Sequence, residues 1–118
     1  MKKITFGQFE KMMAYDVIKN NACIEVHFFV DKSFEYASCW LGKIVDKEAN
    51  QAVYWYGLTP DGSQAYDFNA FHDFVNTPVF HDKNIMEIWE SITINSIDSC
   101  DVEERMLHFL GAERGPSR

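Results

Sequence analysis

Residues 51–68, QAVYWYGLTPDGSQAYDF, limit the possible folds more than any other stretch of the chain. They read as two strands joined by a turn, with Tyr54, Trp55, Tyr56 and Tyr66 on the strands and Pro60-Asp61-Gly62 between them. Proline presets φ at the first corner of a turn, aspartate bonds its own backbone, and glycine takes the positive φ that other residues avoid. The aromatic side chains bring large buried areas and favourable cross-strand pairs. Successive side chains on a strand point to opposite faces, so Tyr54 and Tyr56 belong to one face and Trp55 to the other. A single helix cannot cover both. The second face is either capped by later helices or used for binding.

The segments around this hairpin carry their own periods. Thr5-Phe6-Gly7-Gln8 has the form of a capping box, and Phe6, Phe9, Met13 and Val17 recur at helical steps. This predicts a helix over 5–20, stopped at Asn20-Asn21. Residues 23–30 alternate, with Ile24, Val26, Phe28 and Val30 on one face and Glu25, His27 and Phe29 on the other. Residues 34–45 are expected to form the next strand, with Phe34, Tyr36 and Trp40 on one side and a bend at Gly42. Four strands in sequence with short polar turns make an antiparallel meander.

After the hairpin the period changes. Asp67 or Asn69 is expected to cap a short helix over 70–76, ended by Thr77-Pro78 because a residue before proline leaves the helical region. Asn84 would cap a second short helix carrying Ile85, Ile88 and Trp89. The β-branched run 92–97 reads as a fifth strand, and 101–110 as a last helix ended by Gly111. The expected fold is one α+β domain over 1–111. It has about five strands in a mainly antiparallel sheet, packed by the N-terminal helix, short helices and a C-terminal helix. Residues 112–118 are expected to be a flexible tail.

Composition narrows the function classes. A chain of 118 residues, 47% hydrophobic and 15% aromatic, can bury a core without staples. It has no apolar run of the roughly 18 residues that a membrane span needs, and no apolar leader follows Lys2-Lys3. The expectation is a soluble, cytoplasmic protein with no membrane partner. Cys23, Cys39 and Cys100 form no CxxC motif or zinc spacing and read as free thiols, with Cys23 and Cys39 filling small core gaps. A net charge of −7 with no basic stripe opposes binding to a phosphate backbone, so nucleic acid is excluded as a partner.

Catalytic signatures are sparse. GxSxG, GxGxxG and GxxxxGK are all missing, and the glycines are scattered. Asp67, His72, Asp73, His81 and Asp82 bring imidazole and carboxylate together, the chemistry of a transition-metal site. His72, His81 and Asp82 are its weak candidates, but the spacing matches no metal motif, so no metal and no cofactor is assigned. Glu25 and His27 are a polar pair on the less apolar face of their strand, and general acid–base work would require both to reach a substrate. The larger signal is aromatic. Tyr36, Trp40, Tyr54, Trp55 and Tyr56, with Glu25 and His27, are the expected contact residues for a ligand or partner, because exposed aromatic patches mark binding surfaces. The expected function is that of a small acidic interaction protein, with a protein partner or self-association through an aromatic face. Neutralisation of a basic toxin or enzyme is one concrete form. The alternative is a small-molecule-binding or enzymatic cup on a curved sheet.

Overall fold

The computed structural model describes residues 3–114, the side chains of 111–114 excepted. Helix α1 (Phe6–Met13) begins with the expected capping box, in which Thr5 Oγ1 accepts from Gln8 N and Gln8 Oε1 accepts from Thr5 N. Strands β1 (Ile24–Val30), β2 (Cys39–Asp46), β3 (Gln51–Gly57) and β4 (Ala65–Phe68) follow. Next come α2 (Phe71–Asn76), a 3-10 turn at Trp89–Ser91, β5 (Ile92–Ile97) and α3 (Val102–Arg114). The α+β class, the five-stranded antiparallel sheet and the N-terminal helix are as expected. The strand order, β4-β3-β2-β1-β5, keeps the meander for the first four strands and places β5 on the far side of β1.

The register fixes what each face carries. Ile24, Val26 and Phe28 point inward beside Cys39 and Leu41 of β2 and Ile94 and Ile97 of β5. Phe9, Met12 and Met13 of α1 and Phe74 and Val75 of α2 join them in one buried cluster. At its centre the rings of Tyr56 and Phe74 stack at 4.3 Å, and the Tyr56 hydroxyl donates to the Phe74 carbonyl at 2.8 Å. Each fully buried ring of this kind contributes about 1.5–3 kcal/mol relative to exposure. Burial here also pushes the Tyr56 pKa upward.

Several boundaries differ from expectation, each for a local reason. Helix α1 stops at Met13, and Lys43 Nζ donates to the carbonyls of Met13 and of Tyr15 just beyond it (both 2.8 Å), satisfying acceptors where the helix ends. A separate turn over 17–20 ends at Asn21 with φ 48°. Strand β2 begins at Cys39, so Phe34 and Tyr36 lie in the preceding loop and share no strand face with Trp40. Cys23 is exposed and fills no core gap, whereas Cys39 is buried, its Sγ donating to the Leu58 carbonyl at 3.3 Å. Ala70 is the residue before α2 and makes no side-chain cap, so neither Asp67 nor Asn69 serves. Asn84 does pair reciprocally with Glu87, but a turn and the 3-10 segment replace the second short helix. Gly111 does not end α3, which continues to Arg114. The rest of the expected tail, 115–118, lies outside the described residues.

Candidate functional site: the outer sheet face

Alternation within the same register puts a second set of side chains on the opposite, outer face. Glu25, His27 and Phe29 come from β1, Trp40, Ile44 and Asp46 from β2, Val53 and Trp55 from β3, and Asp67 from β4. The buried side chains of the helices join the inner cluster, so this face keeps substantial exposure: 36% for Trp40 and 43% for Ile44. His27 and Trp40 are register partners with ring centroids 4.5 Å apart. Trp55 stands opposite Gly42, and Ile44 stands opposite Val53, so the apolar groups run as a band from β1 to β3.

Polar groups frame the band. The register of β5 shifts between His27 and Phe28, and Ser96 pairs with His27. Asn95 Nδ2 donates to His27 Nδ1 at 2.8 Å, which leaves the ring proton on Nε2 to donate to Ser38 Oγ at 2.8 Å. Both ring nitrogens are therefore bonded within the protein, with the ring lying against Trp40. The outward-facing strand positions carry the carboxylates Glu25, Asp46 and Asp67 and no lysine or arginine. Lys43, the basic residue of β2, faces inward and is 5% exposed. There its ammonium lies 5.1 Å from the Tyr54 ring centroid, and burial lowers its pKa against the opposing pull of Asp16.

The seven expected contact residues thus divide. Glu25, His27, Trp40 and Trp55 lie together on the outer face. Tyr54 and Tyr56 point into the core, where Tyr54 packs against Phe71 and Phe74. Tyr36 is buried beneath its loop, with its hydroxyl donating to Gln64 Oε1 at 3.0 Å. Glu25 and His27 do not converge on a hollow. One hollow, of about 770 Å³, lies between α1 and α3, and another, of about 440 Å³, is bounded by Phe29 and Phe34. Ile44, Val53 and Asn95 complete the face and were not among the expected residues. The two-residue step from Trp40 over Gly42 to Ile44 is a sequence signal for the first of these. Nothing in the sequence marks the irregularity that brings Asn95 to His27.

The metal candidates are dispersed. His72 lies on α2, where Asn76 Nδ2 donates to its carbonyl at 2.7 Å, and His81 Nε2 bonds Glu35 Oε1 at 2.8 Å. Asp82 neighbours His81 in the same two-residue turn between Phe80 and Lys83. Among the described residues no group of three or more His, Cys, Asp and Glu side chains is placed to hold a metal ion. Among them, too, no helix is long and apolar enough to cross a membrane. Comparison of the chain with family models, curated proteins and solved structures found no match in any of the three.

Proposed function

We propose that this chain is a docking protein that receives a basic protein partner on the outer face of its sheet. The observation that carries this reading is the pairing of a Trp40–Trp55–Ile44 band, exposed at Trp40 and Ile44 and part-buried at Trp55, with outward carboxylates and no outward cation on the strands. Tryptophan at the centre of an interface supplies desolvated area, and its ring faces attract arginine and lysine by about 0.5–2 kcal/mol each. The carboxylates Glu25, Asp46 and Asp67 would pair with the same cations and steer their approach, in keeping with a net charge of −7. A basic toxin or enzyme whose working surface was covered in this way would be neutralised.

Affinity capture from cells with the purified chain as bait tests the reading. The expected result is a basic protein retained at low ionic strength and released as salt rises, since screening shortens the reach of these charges. Capture should fail with the variant Ile44→Arg, which places a cation in the band. Retention of the same protein by Ile44→Arg, or capture only of acidic proteins, would overturn the proposal. A concentration-dependent dimer of the unmixed chain, abolished by Ile44→Arg, would instead assign the face to self-association.

A further inference from the structure

Phe34 is held completely in water, at 102% of its reference exposure, by a loop that is otherwise tightly fixed. Val30 N donates to the Tyr36 carbonyl at 2.8 Å, Ser33 N to the Val30 carbonyl at 3.1 Å, and Tyr36 N to Ser33 Oγ at 3.0 Å. Lys32 takes φ 65° to make the bend, a left-handed conformation uncommon for a residue other than glycine. The residues after Phe34 are anchored as well. Glu35 accepts from Gln64 Nε2 at 2.7 Å and bonds His81 Nε2 at 2.8 Å, while Tyr36 is buried and bonded to Gln64. The His81 and Gln64 bonds hold the Glu35 carboxyl below its ordinary pKa. Three loops (31–38, 58–64 and 80–83) therefore lock together behind one projecting ring.

An exposed ring on a mobile loop is ordinary. One displayed on a pre-ordered loop loses little entropy when it binds, which is the property of an interface anchor. The hollow of about 440 Å³ beside it is lined by Phe29, Val30, Phe34 and Ala37, with Lys32 and Ser33 completing the lining. Phe29 also belongs to the outer sheet face, so the hollow and the ring extend that face past the end of β1.

We infer that Phe34 is a preformed anchor that enters an apolar pocket on the same basic protein partner; this rests on the docking role of the outer face. A lipid surface fits less well. The ring is single, and the net charge of −7 is repelled by anionic membranes.

The test uses the full chain carrying the photo-crosslinker p-benzoylphenylalanine at position 34 or, separately, at position 44, illuminated in cells of the source organism. The expected result is one basic protein captured from both positions. With that protein purified, Phe34→Ser should weaken binding at least about 30-fold, as loss of a hot spot does. Its thermal unfolding should match the parent, because the exposed ring supports nothing in the fold. Capture from position 44 alone, or unchanged affinity of Phe34→Ser, would overturn the anchor and leave the docking face standing. Absence of a shared basic protein from both positions would overturn both. Crosslinks from position 34 to lipid, or to a second copy of the chain, would overturn the anchor in favour of those contacts.

Discussion

Gly42 and Trp55 are register partners, and the indole of Trp55 occupies the space that a side chain on Gly42 would need. A Cβ at position 42 would stand 2.8 Å from both Cε2 and Cζ2 of the indole and would collide with the Ile24 carbonyl oxygen. The indole can turn away. The carbonyl is backbone, and relieving that collision means parting β1 from β2. Gly42→Ala is therefore expected to lower the unfolding free energy by about 1–3 kcal/mol, the range for overpacking a tight site. Urea denaturation measures this, and a loss below about 0.5 kcal/mol, the usual size of a surface change, would show that the strands have room.

Lys43 joins the sheet to α1 by capping the Met13 and Tyr15 carbonyls from within the core. Lys43→Met keeps most of the packing volume and leaves those two acceptors without their partner. An unsatisfied buried group costs about 1–3 kcal/mol, against which stands the relief of no longer burying a charge. A net loss of about 1–3 kcal/mol is expected, with faster hydrogen exchange confined first to α1. A variant as stable as the parent would mean that the cap contributes nothing net.

Asp98 fastens the end of β5 to β1. Its carboxylate accepts from Glu25 N at 2.8 Å and from Arg105 Nη2 at 2.7 Å, and its own N–H donates to the Glu25 carbonyl at 2.6 Å. It does so at φ 54°, a conformation that aspartate and asparagine tolerate better than alanine. Asp98→Ala is expected to cost about 2–3 kcal/mol. Asp98→Asn, which keeps an acceptor for Glu25 N and the backbone preference, should recover at least half of that loss. Equal destabilisation by the two variants would place the whole effect in the Arg105 ion pair.

Alkaline pH should unfold the protein through its tyrosines. Burial raises the pKa of Tyr36, Tyr54 and Tyr56 above that of an unfolded tyrosine. Groups raised in the fold add stability that is complete below the unfolded value, about 10, and is lost as pH climbs towards the folded value. Cys39, pushed up to about 12 by burial, acts in the same sense. Lys43, whose pKa is lowered, acts in the opposite sense but is a single group. Phenolate absorbance at 295 nm should therefore complete its rise only as the near-ultraviolet circular dichroism collapses. Full ionisation with that signal intact would contradict the burial of these hydroxyls.

Much of this fold was legible because local chemistry and tertiary packing agree. The Thr5–Gln8 capping box, the alternation along β1 and the β-branched run of β5 each specify their element without help from a distant residue. Other features depend on partners far along the chain. Helix α1 is shorter than its apolar stripe, and a lysine on β2 bonds the carbonyls of its last residue and of Tyr15 beyond it. The stretch 34–38 looks like strand, yet Ser33 and Gln64 hold Tyr36 in a loop and Phe34 is left in solvent. The candidate site was half legible for the same reason. Alternation separates Trp55 from Tyr54 and Tyr56, but only the placement of β5 and the helices decides which side remains open.

The placement of β5 also sets an order of assembly. Strands β1 to β4 meet neighbours that are close in sequence, so their pairing closes short loops and can proceed early. The remaining side of β1 must wait for a strand that begins at Ile92. Until that residue has left the ribosome, β1 is a hydrophobic border strand with unpaired amides, the kind of edge that recruits other chains into aggregates. The last third of the sequence therefore acts on the first third as a shield, and a fragment ending before Ile92 would be expected to associate with itself.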